Sequence, residues 1–256
     1  MVDIRDSLNY SHYDAIGAAK YDVVRAMRPR APEGMIELAN LMEVQRTLDL
    51  ACGTGQLSVA LSARYRGEII GVDRSIDMLR LAAEKHVYTL LAQGDVIALP
   101  FGSQIFDAVV GSYFLHHIPT NLRHLLAIEC FRVLRQGAVV LMTTAPDDIR
   151  KNPLCRFFPE FASIDLGRFP RIETISSWLH AAGFREIVVT RIHEEPIVLN
   201  DAFADWIELK PISTLELIDE GKFRMGMQKL RHQVSTTRHC PETYSWTSTL
   251  VCGRKK

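Results

Sequence analysis

The sequence has 256 residues, of which 47% are hydrophobic, enough for one large domain with a sizeable core, and this excludes a disordered or fibrous chain. Its 30 Lys and Arg residues balance 30 Asp and Glu residues, so the composition supplies no basic field that would attract nucleic acid. We therefore expect no nucleic-acid partner.

The cysteines and the first residues bear on location. The 5 cysteines lie far apart without C-x-x-C spacing, so we predict reduced thiols, not a zinc site or a disulfide framework. The beginning, MVDIRDSLNYSHYD, is polar, and no apolar run approaches the roughly 20 residues needed to cross a bilayer. These features predict a cytoplasmic protein that does not associate with membranes.

In chain order, the first elements alternate between strands and helices. Residues 12–44 predict helices with a break near RPRAPEG. Beyond them, short apolar runs alternate with stretches of helical periodicity, which is typical of a parallel sheet. Strands are predicted at 47–50, 68–72, 89–93, 108–111 and 139–143. Helices are predicted between them at 54–65, 76–86 and 122–134.

The second half of the chain interrupts this alternation twice. Residues 145–171 contain 4 prolines and several phenylalanines, which predicts a loop or a broken helix. A helix at 172–182 ends at Gly183, and the strand FREIVVTRI follows. Residues 199–243 are mostly helical in pattern and precede a final strand, YSWTSTLVC. We interpret residues 1–256 as one domain with accessory segments at 1–44, 145–171 and 199–243.

The stretch TLDLACGTGQLS combines a buried strand, two glycines and the start of a helix, a corner where nucleotide-like ligands bind in open α/β sheets. A dinucleotide fingerprint would need glycine at Ser58, and a Walker loop would need Gly-Lys-Ser/Thr, so neither phosphate site is favoured. Asp73 ends the second strand 20 residues after Gly53 (73 minus 53), and Asp95 follows the third. These acids suit a ribose and an adenine amine, that is, an adenosine without phosphate.

Five motifs, taken together, resemble a known family. LDLACGTG, GVDRSIDML, GDVIALPF, FDAVVGSYFLHHI and ECFRVLRQGAVVLMTT follow in the order of class I S-adenosylmethionine-dependent methyltransferases, particularly the small-molecule branch that includes ubiquinone and menaquinone biosynthesis methyltransferases. The resemblance covers about residues 45–192. It implies a Rossmann-like α/β fold, with a seven-stranded, mostly parallel sheet flanked by helices and helical lid insertions. It also implies S-adenosyl-L-methionine as methyl donor and S-adenosyl-L-homocysteine as product.

The resemblance also implies a set of cofactor-binding residues. The glycine turn would run beside the methionine part, Asp73 would bind the ribose, Asp95 would meet the adenine amine, and Asp49 would brace the turn and orient a cofactor-bound water or the amino group. The full set implied is Asp49, Ala51, Cys52, Gly53, Gly55, Asp73, Arg74, Met78, Asp95, Val96 and Ser112, with Tyr13, Tyr21 and Arg25 as candidates from the amino-terminal lid. Ala51 replaces a common glycine. Alanine there tolerates a negative φ and still leaves access to the backbone, so we expect cofactor binding to survive.

The acceptor is expected to approach the end of the fourth strand, at GSYFLHHI. This stretch lacks the Asn/Asp-Pro-Pro-Tyr/Phe motif common in enzymes that methylate nucleobase or amide nitrogens, which favours a small-molecule acceptor. His117 or His116 could act as a general base, or either could be structural; with no third ligand in register, no metal site is predicted. The predicted substrate cover comprises Phe157, Phe158, Phe161 and Trp206.

Two other functions remain open at this point. A dehydrogenase could use the same corner for NAD, although the missing third glycine opposes it. A protein that binds S-adenosylmethionine for regulation or partner binding, without transfer, is the second alternative. The sequence determines neither the acceptor atom (O, N or C) nor the oligomeric state.

Overall fold

The computed structural model describes residues 30–256. Tyr13, Tyr21 and Arg25 lie outside the described residues, so their contacts with the cofactor stay predictions.

The described chain folds into a sheet with helices on both faces and a helical elaboration after the fifth strand. The strands are β1 Arg46–Leu50, β2 Glu68–Asp73, β3 Leu90–Gln93, β4 Phe106–Ser112, β5 Leu134–Thr143, β6 Arg185–Val198 and β7 Thr243–Lys255. The helices are α1 Arg30–Ala39, α2 Gln56–Ser62, α3 Ile76–Ala83, α4 Arg123–Val133, α5 Pro146–Lys151, α6 Leu154–Phe157, α7 Glu160–Arg168, α8 Ile172–Ala182, α9 Asp201–Glu208, α10 Ser213–Glu216 and α11 Glu220–Thr236. Two 3-10 turns, Leu41–Glu43 and Leu115–His117, complete the described elements.

The seven strands form one sheet in the order β3-β2-β1-β4-β5-β7-β6. Every pair from β3 to β5 is parallel, and β7 runs antiparallel to both of its neighbours. The predicted seven-stranded, mostly parallel α/β fold is therefore confirmed. The order reverses direction at β1 and β4, and a ligand crevice forms at such a switch point, outside the carboxyl ends of the strands.

Alternating side chains of the central strands build two separate cores. Val109 of β4 belongs to the core that α4 and α8 cover, whereas Ala108 and Val110 belong to the core that α1 and α2 cover. All three residues are fully buried. Because both faces of the sheet are covered, its central strands are continuous apolar runs, which is why the sequence identified them.

A third core holds the segments 146–168 and 201–236, whose helices we call the lid helices. Phe158 stacks on Phe223 with ring centroids 5.4 Å apart. A Cβ added at Gly226 would lie 2.3 Å from the Phe158 ring, so only glycine lets α11 approach this closely. The lid helices thus have an apolar core of their own.

Several sequence expectations on the elements need correction. The break near RPRAPEG is not among them and stays a prediction, because the residues before Arg30 lie outside the described part of the chain. Within that stretch α1 begins at Arg30, with Pro32 in its first turn, where the missing N–H donor costs nothing. The fourth strand ends at Ser112, and the two histidines lie beyond it in a 3-10 turn. The fifth strand begins at Leu134, earlier than expected, because Leu134 pairs with Phe106.

Candidate active site

The loop after β1 carries three residues in the left-handed region. Ala51 has φ 47°, Gly53 has φ 55° and Gly55 has φ 86°. Ala51 does not take the negative φ that alanine tolerates: the loop keeps the left-handed path that glycine would follow, and alanine bears the strain, while retained cofactor binding stays a prediction. A Cβ added at Gly53 would meet no atom within 4 Å, so open space lies beside the backbone where a ligand could approach.

Asp73, at the end of β2, holds this loop through both carboxylate oxygens. The Gly53 N–H donates to Oδ2 (2.9 Å), and the Ser75 N–H donates to Oδ1 (2.9 Å). Burial raises the pKa of Asp73, and the backbone donors oppose that rise. Asp73, which is predicted to bind the ribose hydroxyls, thus also ties the glycine loop to β2.

Asp95 lies at the same edge, after β3. The Ile97 N–H donates to its Oδ1 (3.2 Å), and Arg74 places a guanidinium nitrogen 3.7 Å from its Oδ2. Val96 and Met78 are buried beside these residues. The structure therefore collects the predicted residues of β1, β2 and β3 along one edge, while their contact with a cofactor stays a prediction.

Asp49 is buried within the sheet, not open to solvent, with 1% of its surface exposed. The hydroxyls of Ser58 (2.6 Å) and Tyr88 (2.9 Å) both donate to its Oδ2. Burial raises the pKa of Asp49 to about 7, although both hydroxyl donors oppose the rise. Its visible role is the internal brace between β1, α2 and the segment before β3.

Tyr88, which the sequence analysis missed, also fills the space left by two glycines. A Cβ at Gly55 would lie 3.0 Å from the Tyr88 ring, and a Cβ at Gly71 would lie 2.8 Å from it. Cys52 packs against Gly71 from the loop side, and burial raises the pKa of its thiol well above the usual value. A tyrosine two residues before a strand carries no recognisable signal, so only the packing reveals this function.

A cavity opens between the carboxyl edge of the sheet and the lid helices, with a volume of about 1050 Å³ including its open mouth. Gln56 and Ser112, beside the glycine loop, line it from the sheet side. Phe161 and Trp206 line it from the lid side. We call this space the lid cavity; it joins the predicted cofactor edge to the predicted substrate cover.

The two histidines have different positions. His116 is buried, lines the lid cavity and stacks on Phe169 with ring centroids 4.2 Å apart. His117 lies behind it, with ring centroids 4.0 Å apart, and is not part of the cavity wall. Both histidines therefore stay candidates for the general base, and the described cavity wall favours His116.

The predicted substrate aromatics also divide into two groups. Phe161 and Trp206 line the lid cavity, as expected of a substrate cover. Phe157 and Phe158 do not: both are buried in the core of the lid helices. This placement does not support their expected role in the substrate wall, because both rings pack against other lid residues.

Within residues 30–256, no three His, Cys, Asp or Glu side chains are grouped so that they could hold a metal ion. Over the same range, no helix has the length and apolar character required to cross a membrane.

Comparison with known families identifies a methyltransferase domain at residues 47–137. Over 121 residues the chain is 36% identical to demethylmenaquinone methyltransferase from Lactiplantibacillus plantarum. The aligned region covers 43% of this chain and 50% of that protein. The enzyme of the same name from Staphylococcus aureus strain Newman is 36% identical over 147 residues, covering 54% and 60%. The match thus spans about half the length of these relatives.

Solved structures agree on the fold. A protein of Anabaena variabilis described as a methyltransferase from an antibiotic biosynthesis pathway matches with TM-score 0.71 at 20% identity, covering 90% of this chain and 98% of that one. Phosphoethanolamine N-methyltransferase 2 of Haemonchus contortus, solved with phosphomonomethylethanolamine and S-adenosylhomocysteine, matches with TM-score 0.59 at 17% identity, covering 100% and 60%. At these identities the likeness concerns the fold alone. The methyltransferase domain and the class I fold predicted from the sequence are confirmed.

Proposed function

We propose that this chain, which carries a class I methyltransferase domain, transfers a methyl group from S-adenosyl-L-methionine to a small-molecule acceptor. The observation that carries the proposal is the continuity of the glycine loop with the lid cavity through Gln56 and Ser112. A methyl donor bound along the glycine loop and an acceptor bound in the lid cavity would meet at the end of β4.

The loop residues fit this donor. Thr54 is buried, and its Oγ1 has no hydrogen-bond partner among the described residues, so a polar ligand at the loop would satisfy it. The open space beside Gly53 admits a chain of atoms next to the backbone. We assign the loop to the methionine part of the donor, Asp73 to the ribose hydroxyls and Asp95 to the adenine amine.

The donor supplies a sulfonium-activated methyl group, which passes to the acceptor nucleophile while the carbon–sulfur bond breaks and its electron pair stays on sulfur. The protein mainly holds the reactants in line and excludes water. The lid helices, through Phe161 and Trp206, cover the lid cavity in which transfer would take place. We assign to His116, which lines the cavity, the acceptance of a proton from the methyl acceptor.

The related enzymes are named for demethylmenaquinone, which supports a small-molecule acceptor. Phe161, Phe169 and Trp206 give the lid cavity aromatic surface for such a molecule, beside polar residues. Within this proposal, residues 45–192 bind the donor, and the segments 145–171 and 199–243 bind the acceptor. We place the protein in the cytoplasm, with no nucleic-acid or membrane partner. The remaining alternative is a protein that binds the donor without transfer, and turnover with an acceptor distinguishes the two.

Calorimetry with S-adenosylmethionine and S-adenosylhomocysteine tests the donor site. Asp73→Ala should weaken binding by about 1.5–3 kcal/mol, the range for a lost hydrogen bond to a charged group. Asp77→Ala is the matched control, because Asp77 pairs with Arg80 (2.6 Å) on the helix that follows and should leave affinity unchanged. If wild-type protein binds neither compound but binds NAD, the proposal is wrong.

A further inference from the structure

The base of the glycine loop contains the buried carboxyl group of Asp49. Asp49 lies in β1, two residues before Ala51, where the loop begins. With 1% of its surface exposed, its charge is screened little by water and salt. A negative charge at this position therefore acts on a ligand held along the loop more strongly than a surface carboxylate would.

The groups around Asp49 come from four elements. Ser58 of α2 (2.6 Å) and Tyr88, before β3 (2.9 Å), donate hydroxyl hydrogens to its Oδ2. Asp73 of β2 adds a second acid, and the Cys52 thiol of the loop has a pKa raised well above its usual value and stays neutral. On β4, the residue paired with Asp49 is an apolar valine. Hydroxyl donors, not an ion pair, thus hold this carboxyl group.

Tyr88 fixes the loop and the carboxyl group together. Its hydroxyl bonds Asp49, while its ring lies 3.0 Å from a Cβ built at Gly55. The aliphatic stem of Lys85 packs at the same glycine, and Asp73 holds the Gly53 N–H at 2.9 Å. Because the loop is held at several points, the separation between Asp49 and a ligand on the loop should change little when Asp49 gains or loses its proton.

The charge of Asp49 changes within the neutral pH range. Burial raises its pKa to about 7, the hydroxyls of Ser58 and Tyr88 oppose the rise, and Asp73 adds to it. The two ligands assigned to the loop differ in charge at one atom: the donor carries a positive sulfonium, and the product carries a neutral thioether. The ionised carboxylate should therefore act differently on donor and product, whereas the neutral carboxyl should not.

On the basis of the proposed function, we propose that Asp49 is a specificity residue of the donor site, whose negative charge favours S-adenosylmethionine over S-adenosylhomocysteine. Above neutral pH the carboxylate promotes exchange of the uncharged product for the charged donor. Below neutral pH the protonated group loses this preference. By linkage, a bound donor in turn favours the ionised form of Asp49 more than bound product does.

Calorimetric titration of both ligands into the full-length protein, at pH values from 5.5 to 8.5, tests this preference. The measured quantity is the ratio of the Kd of S-adenosylhomocysteine to that of S-adenosylmethionine. In the wild type the ratio should rise with pH by at least about threefold more than in Asp49→Asn. The amino groups of the ligands titrate alike in both proteins, so the difference reports on Asp49. A purely structural role would weaken both ligands equally and leave the ratio unchanged.

Two further variants complete the test. Tyr88→Phe removes a donor to the carboxylate, so the midpoint of the rise should move up by about one pH unit. Asp77→Asn, which removes a carboxylate that pairs with Arg80 (2.6 Å), should keep the wild-type profile. If Asp49→Asn does not fold, the comparison of the wild type with Tyr88→Phe still tests the proposal.

The proposal is overturned if the wild-type ratio follows that of Asp49→Asn at every pH, or if Tyr88→Phe leaves the midpoint in place. Loss of the pH-dependent rise in Asp77→Asn would also overturn it, because the effect would then not belong to the buried acid. A wild-type protein that binds neither ligand at any pH would instead overturn the proposed function.

Discussion

Replacing Tyr88 by Phe should destabilise the protein by an amount that depends on pH. The Tyr88 hydroxyl donates to the Asp49 carboxylate (2.9 Å), which also accepts from Ser58. Burial raises the pKa of Asp49 to about 7, with Asp73 adding a smaller rise. The neighbouring Cys52 thiol has a raised pKa and stays neutral over the range of the experiment. The Tyr88 hydroxyl therefore donates to a neutral Asp49 carboxyl below pH 7 and to a carboxylate above it.

The size of the destabilisation by Tyr88→Phe depends on the charge of the group that accepts the hydrogen bond. A hydrogen bond between neutral groups contributes about 0.5–1.5 kcal/mol to stability, and one to a charged group about 1.5–3 kcal/mol. Tyr88→Phe should therefore lower the free energy of unfolding by about 0.5–1.5 kcal/mol at pH 5.5 and by about 1.5–3 kcal/mol at pH 8.5. The difference corresponds to a rise of about one unit in the pKa of Asp49.

In the wild type, the same carboxyl group makes the free energy of unfolding depend on pH. The folded pKa of Asp49, about 7, lies above the ordinary value of 3.8, so the folded state holds the proton more tightly than the unfolded state. Stability from this group is thus present below about pH 4 and is lost as the pH rises to about 7. At 1.36 kcal/mol per unit, that loss is about 4 kcal/mol. In Tyr88→Phe the loss should continue above pH 7.

Urea denaturation at both pH values, followed by tryptophan fluorescence, measures the effect. Tyr65→Phe is the matched control, because the Tyr65 hydroxyl donates to the backbone carbonyl of Glu68 (3.3 Å) and should cost the same at both pH values. Equal losses for Tyr88→Phe at pH 5.5 and 8.5 would refute the reasoning and remove Asp49 as the titrating partner.

Three further predictions concern the loop, the histidines and the lid. Gly55→Ala should lower S-adenosylhomocysteine affinity at least about tenfold by calorimetry, since a Cβ at φ 86° would press on the Tyr88 ring; unchanged affinity would contradict this. His116→Gln should reduce turnover by about 10²–10⁴ with donor affinity unchanged, whereas His117→Gln should not, and the reverse order would restore His117 as the base. Phe158→Ala should destabilise the protein by about 3–5 kcal/mol in urea melts, and a loss below 1 kcal/mol would contradict its place in the lid core.

Sequence pattern alone was sufficient for elements whose causes are local. The helix Ile172–Ala182 was predicted with its bounds, because its apolar spacing and the terminating Gly183, at φ 113°, are written in adjacent residues. The central strands β1, β2, β4 and β5 were found because residues buried on both faces must be apolar, whereas the partly exposed edge strand β3 was found from its short apolar run alone. The glycine turn and the acids after β2 and β3 were identified in the same way, from their order along the chain.

Strand ends and side-chain partners were not available from the sequence, because distant segments decide them. The start of β5 at Leu134 depends on pairing with Phe106, and the inward direction of Phe158 depends on Phe223 and Gly226. Nor does the sequence distinguish Glu194 from Glu195, which are adjacent acids in one strand.

The sequence by itself therefore determined the class of fold, the edge of the sheet where a donor should bind and the family resemblance, since short-range order encodes all three. Only the tertiary structure decided which of two neighbouring histidines faces the cavity, which of two neighbouring glutamates is buried at its wall, and that Tyr88 braces Asp49. The physical reason is that burial and hydrogen bonding depend on which segments meet in space. That information lies in the packing of residues far apart in the chain.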